Sequence, residues 1–489
     1  MNGGGPEVFF GARSVAVVGA SPDPRKAGHQ IVRNMLDAGF PGPVIPVNPQ
    51  GMDVAGLRGY PSLQGVPDRV DLVAIAAPAA AVEGVAADLE GRLARRGDVR
   101  AVVTTAAGFA ETGTDEGRRR QQLLLDVCRR YGVREMGPNC VGIIDNQNRL
   151  DTTFIVGTRR RRGGVSVVSQ SGAFGAWLVS SWSAQVVPAG INKFCSLGNM
   201  ADVDLVEMLD YLGSDETTRV VGMYLEGHPY ARRLVETAGE VARRKPVVAL
   251  KVGRSEAGTR AALSHTGAMA GSDRLYEAAF RQFNLVRVDS ADELSDTLQA
   301  FDRLPLPRGN RVFLATQAGG PGTFCTDVLA SFPEVRWAEV SPETRRALRE
   351  MLPPFATVCR PEGYCDITAA ATVEQHARTV ELLLRDPGVD ALILITVPTL
   401  YLPVEELGQA IGDAWERASS VAGPKPLLCS LLAGEVVREG RRILEERGLF
   451  TFETPDRAAR ALRNMIRYRD GLARREAAAG RSLAEGGEM

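Results

Sequence analysis

Short apolar runs alternate with longer amphipathic stretches along almost the whole chain. Ser14–Val18, Val44–Val47, Leu72–Ala76 and Ala101–Thr104 are apolar on both faces, which predicts buried parallel strands. Gln30–Ala38 and Arg118–Tyr131 carry the spacing of amphipathic helices. This βαβ rhythm restarts at Gly164–Ser169, which leads to Gly190–Ser196, Val220–Leu225 and Val247–Lys251. It restarts again at Arg311–Thr316, followed by Ala391–Val397 and Leu427–Ser430.

The predicted fold class is therefore α/β, with three consecutive doubly wound (Rossmann/flavodoxin-like) domains and mostly parallel sheets. The restarts bound the domains at 1–150, 151–305 and 306–470. Residues 471–489, rich in Ala, Gly, Glu and Arg, read as a frayed C-terminal tail. The first boundary falls in Asp151–Gly163, where the run Arg159-Arg160-Arg161-Arg162 reads as a solvated connector. The second falls in Leu304–Asn310, punctuated by Pro305, Pro307 and Gly309.

Composition agrees and narrows the function. The 489 residues suit roughly three domains. Hydrophobic residues at 44% and charged residues at 24% are those of a soluble globular protein. Lys+Arg 58 against Asp+Glu 59 leaves a net charge of −1, which argues against nucleic-acid binding through a basic field. No apolar run reaches the ~18 residues of a membrane span, so no membrane partner is expected. Met1–Pro6 lacks a basic region followed by an apolar one, so no secretory signal is expected. Seven dispersed cysteines without a CxxC pair predict reduced thiols and a cytoplasmic protein. Four histidines without ligand spacing predict no metal centre.

Each domain opens on a strand, a turn of small residues and a helix. The three turns are Gly19-Ala20-Ser21, with Lys26 and Gly28 beyond; Ser169-Gln170-Ser171-Gly172; and Gly319-Gly320-Pro321-Gly322. Small residues let a phosphate approach the backbone, and the helix's free amides and dipole hold its charge. A doubly wound fold needs the same tight turn without a ligand, so each cradle alone is ambiguous. The first lacks GxGxxG, and its second strand ends in Asn48-Pro49, not in a ribose-binding acid. That disfavours a nicotinamide cofactor and leaves a pyrophosphate-bearing nucleotide such as coenzyme A.

Of the four histidines, His265 stands apart. Small residues surround it in Ser264-His265-Thr266-Gly267-Ala268, after the strand Val247–Lys251. Imidazole can act as a nucleophile toward phosphorus. Glu226, ending Met223-Tyr224-Leu225-Glu226, is a candidate carboxylate for its other nitrogen. On residue chemistry alone a structural histidine is an equal reading. His228 and His376 have no evident partner in the sequence. Phe109, Phe154 and Trp177 could shape an acyl pocket, although core packing is the favoured reading of each.

Six motifs occur in order: Val15–Gly28, Gly137-Pro138-Asn139-Cys140-Val141-Gly142, Ser169–Ala173, Ser196–Asp204, Ser264–Ala268 and Gly319–Gly322. Together they resemble the α chain of the ADP-forming (NDP-forming) acyl-CoA synthetases, relatives of succinyl-CoA synthetase, from about Val8 to Tyr468. The resemblance implies a CoA-binding Rossmann-like domain at 1–150. It implies a ligase-CoA flavodoxin-like domain with the phosphohistidine at 151–305 and a second such domain at 306–470. Gly19, Ala20, Ser21, Lys26, Gly28, Asn48, Pro49, Ala77, Pro78, Asn139 and Cys140 match positions around coenzyme A. His265 matches the phosphorylated histidine and Glu226 its carboxylate partner, the catalytic pair. Ser169, Gln170, Ser171, Gly172, Gly319, Gly320 and Gly322 match the helix starts that clamp the phosphoryl group.

The implied reaction interconverts acid + CoA + ATP and acyl-CoA + ADP + phosphate through an acyl phosphate and a phosphohistidine. Glu362-Gly363-Tyr364-Cys365-Asp366 departs from the family's Asn-Pro-Val-Asp approach but keeps the Asp. No segment resembles an ATP-grasp domain or a GxxxxGK[ST] loop. ATP/ADP and Mg2+ are therefore expected on a separate ATP-grasp β subunit, in a hetero-oligomer whose other substrate is a small organic acid or its acyl-CoA. Two alternatives share the scaffold: an ATP-independent acyl or carbamoyl transferase, and a non-catalytic CoA-sensing module. The retained His265 and Glu226 disfavour both.

Overall fold

The computed structural model describes residues 4–260, 272–399 and 402–486, with side chains through residue 477. These fall into two compact units, Met1–Val288 and Asp289–Met489. Among the described residues no helix is long and apolar enough to cross a membrane.

The first unit holds two sheets. The first comprises β1 (Val15–Val18), β2 (Val44–Val47), β3 (Leu72–Ile75), β4 (Ala101–Thr104) and β5 (Arg134–Met136), all parallel, in the order β2-β1-β3-β4-β5. Its inner strands are buried on both faces, as their near-continuous apolar content requires. Helix Asp115–Tyr131 shows how sequence fixes a covering helix. The Thr114 side chain accepts the Gly117 N–H, Asp115 and Glu116 face the positive first turn, and Arg129 and Arg130 face the last. Gly132 ends it at φ +67°, a left-handed conformation that glycine adopts without strain. Leu124, Leu125, Val127 and Cys128 form its buried face.

The second sheet comprises β6 (Ile143–Asp145), β7 (Leu150–Asp151), β8 (Arg161–Ser169), β9 (Gly190–Ser196), β10 (Val220–Leu225), β11 (Val247–Lys251) and β12 (Val286–Val288). Their order is β12-β11-β10-β8-β9-β6-β7. The five from β8 to β12 are parallel, whereas β6 runs antiparallel to β9, and β7 antiparallel to β6. Residues 143–151, largely assigned by sequence to the first domain, thus belong to the second sheet. The run Arg159–Arg162, read as a solvated connector, keeps Arg159 and Arg162 exposed but is also anchored. Arg161 and Arg162 begin β8, Arg160 pairs with the buried Asp151, and Arg159 Nε donates to the Ser183 carbonyl at 2.9 Å. Arg162 Nε donates to the Asn146 carbonyl at 3.1 Å. Carbonyls and a buried carboxylate take up these charges, so the run is tied down at the start of the interior strand β8.

The second unit is built on β13 (Arg311–Thr316), β14 (Arg336–Trp337), β15 (Thr357–Val358), β16 (Tyr364–Asp366), β17 (Ala391–Thr396) and β18 (Leu427–Leu431). The order is β15-β16-β13-β17-β18, with β14 beside β13, and only β15–β16 pair antiparallel. Helix Ala291–Arg303, placed before the 305/306 boundary by sequence, lies in this unit. Arg457 grips its Asp296 at 2.6 and 2.8 Å, and Arg463 and Asn464 bond its Glu293 at 2.7 and 3.0 Å. These partners lie on helix Pro455–Gly486, which also continues through most of the segment expected to fray.

Candidate functional site

Sheets ordered 2-1-3 open a crevice beyond the carboxyl ends of the strands where the order reverses. In the first sheet that point lies between β1 and β3. Gly19 sits there at φ +86°, and a Cβ on it would lie 2.5 Å from the Ala77 amide nitrogen. A Cβ on Gly28 would lie 2.2 Å from the Gly19 carbonyl oxygen, so Gly28 lets the helix pack onto the turn. The Gly19 and Ala20 amides donate to the Val47 carbonyl at 2.9 and 3.2 Å and are spent. The open donors lie in the first turn of helix Ala27–Asp37, beside the exposed Lys26 and without a side-chain cap. His29 Nδ1 donates to the Ser21 carbonyl at 2.9 Å, which shapes this turn. Asn48 bonds Met52 through both ends of its amide, so it holds the loop beside the exposed Pro49. Pro78 is also exposed at this edge.

The second crevice lies between β8 and β10. Ser169 Oγ donates to the Ser171 carbonyl at 2.7 Å, and Ser171 Oγ accepts the Phe174 N–H at 3.2 Å as N-cap of helix Gly172–Ala184. Glu226, which follows β10, is 5% exposed. Gln170, 3% exposed, faces it across the switch point. Its Oε1 accepts the N–H groups of Glu226 at 2.6 Å and Gly227 at 3.3 Å, and its Nε2 donates to the Gly227 carbonyl at 2.7 Å. The Gln170 N–H points to the Tyr224 carbonyl at 3.4 Å. Gln170 thus directs its backbone and side-chain donors at protein.

Sequence reasoning missed Tyr224. Its hydroxyl hydrogen bonds to Glu226, and burial followed by the Glu226 charge pushes its pKa up to about 12. Its ring stacks on Phe174 of the cradle helix at 4.1 Å. Lys251, buried at the end of β11, is held below the usual lysine range by burial, against the opposing pull of Asp273 and Glu226. His228 Nδ1 accepts the Tyr230 N–H at 3.1 Å, which leaves Nε2 facing Asp204 at 3.7 Å. His265 and its loop 261–271 lie outside the described residues.

The Asn139–Cys140 turn meets this second crevice. A Cβ on Gly172 would lie 2.7 Å from Val141 Cγ2, and the Val141 N–H donates to Ser196 Oγ at 3.0 Å. Asn139 at φ +58° and Met200 at φ +54° are left-handed non-glycine residues. Such strain persists where surrounding structure over-determines it. A chain of amides supplies that: Asn139 donates to Asn199 at 3.3 Å, and Asn199 donates to Glu111 at 2.6 Å and Gln121 at 3.0 Å. Burial alone would raise the Glu111 carboxyl, but bonds from Asn199 and the Gly108 and Phe109 amides hold it below its usual range. The Cys140 thiol is pushed up to about 12 by burial and donates to the Thr104 carbonyl at 3.3 Å. Phe109 is core and Phe154 packs against core, whereas Trp177 is 47% exposed beside Phe174.

The third crevice, in the second unit, opens between β13 and β17. Thr316 Oγ1 donates to the Ala318 carbonyl at 2.7 Å, and helix Gly319–Ala330 starts without a side-chain cap. A Cβ on Gly320 would meet nothing within 4 Å, whereas one on Gly322 would lie 2.5 Å from Thr316 Cγ2. The retained Asp366 ends β16, and its Oδ2 lies 3.2 Å from where a Gly319 Cβ would stand. His376 is buried, with Nδ1 donating to the Thr372 carbonyl at 2.8 Å.

Three family models match the chain in succession. They are a CoA binding domain over residues 13–146, a succinyl-CoA ligase like flavodoxin domain over 162–301 and a ligase-CoA domain over 312–468. The chain is 38% identical over 455 residues to subunit alpha of acetate–CoA ligase [ADP-forming] II of Pyrococcus furiosus, covering 93% of this chain and 96% of that one. It is 37% identical over 462 residues to acetate–CoA ligase [ADP-forming] I of Archaeoglobus fulgidus, covering 94% of this chain and 63% of that protein. It is also similar to a solved structure, the dinucleotide forming acetyl-coenzyme A synthetase 1 of Ca. Korarchaeum cryptofilum in complex with phosphate and ADP. That match has a TM-score of 0.84 and 34% identity over 94% of this chain and 96% of that chain. With all three domains matched in order and nearly full coverage of an α subunit, the chain belongs to the α subunits of the ADP-forming acyl-CoA synthetases, a family of acid–thiol ligases.

Proposed function

We propose that this chain is the catalytic α subunit of an ADP-forming acyl-CoA synthetase that interconverts acid + CoA + ATP and acyl-CoA + ADP + phosphate. Phosphate oxygen attacks the thioester carbonyl, the C–S bond breaks, and CoA leaves as thiolate to take a proton. A His265 nitrogen then attacks phosphorus of the acyl phosphate, the P–O bond breaks, and the carboxylate leaves. Splitting the transfer this way replaces one hard step with two easier ones. The cradle at Ser169–Gly172 presents first-turn amides to the phosphoryl oxygens, and Glu226 orients and charges the imidazole. Coenzyme A lies across the first sheet's crevice, near Lys26, Gly28, Pro49, Pro78 and Asn139. A separate ATP-grasp β subunit holds ATP/ADP and Mg2+ and takes the phosphoryl group from His265.

The observation that carries this reading is the convergence of the Ser169–Gly172 cradle, the buried Glu226 and the Asn139–Cys140 turn on one edge of the second sheet. The full chain incubated with acetyl-CoA and labelled inorganic phosphate should gain acid-labile, base-stable phosphate. His265→Ala should abolish that label while calorimetry still shows CoA binding. The partner-free chain should make no acyl-CoA from acid, CoA and ATP. Full labelling of the His265→Ala protein would overturn the assignment.

A further inference from the structure

We infer that Gln170 is a positioning residue, which sets the place of the Glu226 carboxylate and does not itself bind phosphate. This rests on the proposed phosphohistidine reading. Gln170 belongs to the small-residue turn that invites assignment as an oxyanion ligand, yet its polar groups face protein. One side-chain oxygen accepts two successive N–H groups, Glu226 at 2.6 Å and Gly227 at 3.3 Å. The side-chain nitrogen returns a bond to the Gly227 carbonyl at 2.7 Å and lies 3.8 Å from Met200 Sδ. The turn that presents Glu226 is therefore bracketed on both sides by a single planar amide. Burial of Gln170 makes the loss of these bonds costly, because the Glu226 and Gly227 N–H groups would be left unpaired in a dry setting.

The Glu226 charge also raises the pKa of the Tyr224 hydroxyl, so the carboxylate lies within that group's reach. A catalytic group shifted by about 1 Å can lose about a hundredfold in rate. Gln170 is then coupled to Glu226 in rate and uncoupled from phosphate in affinity.

The test is a double-mutant cycle on the full chain, reading His265 labelling from acetyl-CoA and inorganic phosphate. Gln170→Met should lower kcat for labelling at least tenfold, with the KM for phosphate and the calorimetric Kd for CoA unchanged. In a Glu226→Gln background the same change should have little further effect, since Gln170 acts through that carboxylate. If Gln170→Met does not fold, Gln170→Asn enters the same cycle, because it keeps a neutral amide and shortens its reach by one methylene. A raised phosphate KM at unchanged kcat would make Gln170 a phosphate ligand and overturn the inference. Additive losses in the double mutant would also overturn it. Absence of label in the unsubstituted chain would instead strike the phosphohistidine reading.

Discussion

The second and third crevices are the same device built twice, with the carboxylate moved. In both, a glutamine follows the first strand and its N–H meets a carbonyl of the neighbouring strand: Tyr224 at 3.4 Å for Gln170, Ile395 at 2.9 Å for Gln317. In both, the glutamine Oε1 accepts an N–H beyond that strand, from Glu226 at 2.6 Å or Val397 at 3.0 Å. A hydroxyl before it closes the turn in each case, from Ser169 or Thr316, both at 2.7 Å. Where the second sheet has Glu226, the third has Val397, and its carboxylate, Asp366, ends the strand on the opposite side of the cradle. Gln317 is also less well satisfied, since its buried Nε2 has no partner among the described residues. The repeat preserves the strand–turn–helix geometry and varies which neighbouring strand carries the charge. Turn geometry belongs to the fold, and placement of the charge belongs to the chemistry.

The sharpest break between the two crevices is to neutralise each carboxylate. Glu226→Gln removes a charge from a buried site and should slow His265 labelling by about tenfold to a hundredfold, corresponding to about 1.5–3 kcal/mol. Asp366→Asn, at a half-buried strand end, should cost about tenfold at most. Single-turnover labelling with acetyl-CoA and phosphate ranks the two. Equal losses would mean that the second carboxylate works at the same transfer.

Glycine substitutions separate packing from ligand access. Gly172→Ala drives a methyl group against Val141 and should destabilise the protein by about 1–3 kcal/mol in thermal unfolding. Gly320→Ala meets nothing within 4 Å and should be neutral, or stabilising by up to about 1 kcal/mol. If Gly320→Ala still slows labelling, the third cradle's opening is used by the phosphoryl group.

The smallest effect sharpens the role of Tyr224. Its hydroxyl, kept protonated by a pKa of about 12, donates to Glu226. Tyr224→Phe removes the hydroxyl beside that carboxylate and keeps the ring stacked on Phe174. Labelling should slow by about threefold to tenfold, the worth of one hydrogen bond. An unchanged single-turnover rate would show that the hydroxyl plays no part in the transfer.

Much of the fold could be read in advance because buried parallel strands write themselves as continuous apolar runs. β2, β4, β9, β10, β11 and β13 span the very residues that the pattern picked out. Three-residue β6 and two-residue β7 are too short to carry any period, so their place in the second sheet was hidden. Pro305, Pro307 and Gly309 mark where helix Ala291–Arg303 stops, and punctuation cannot say which unit the helix packs against. At the site, the cradles were visible because tight turns demand small residues. The Gln170–Glu226 tie spans 56 positions, and the Asn199–Glu111 bond spans 88. Neither leaves a local signal. Tyr224 was passed over because a tyrosine inside an apolar strand reads as core.

The crossing of Ile143–Asp151 into the second sheet decides how this protein can be taken apart. A fragment that ends at residue 150 would cut through β7 and carry β6 away from its partner β9. The remainder would expose the β9 edge, a row of unpaired amides ready to recruit another chain. Arg134, which bonds Asp202 at 2.9 Å and Glu207 at 2.7 Å, would lose its partners in the same cut. The CoA-binding domain is thus no interchangeable cassette. Chimeras between relatives should exchange Met1–Val288 as one piece, and that piece should melt in a single cooperative transition.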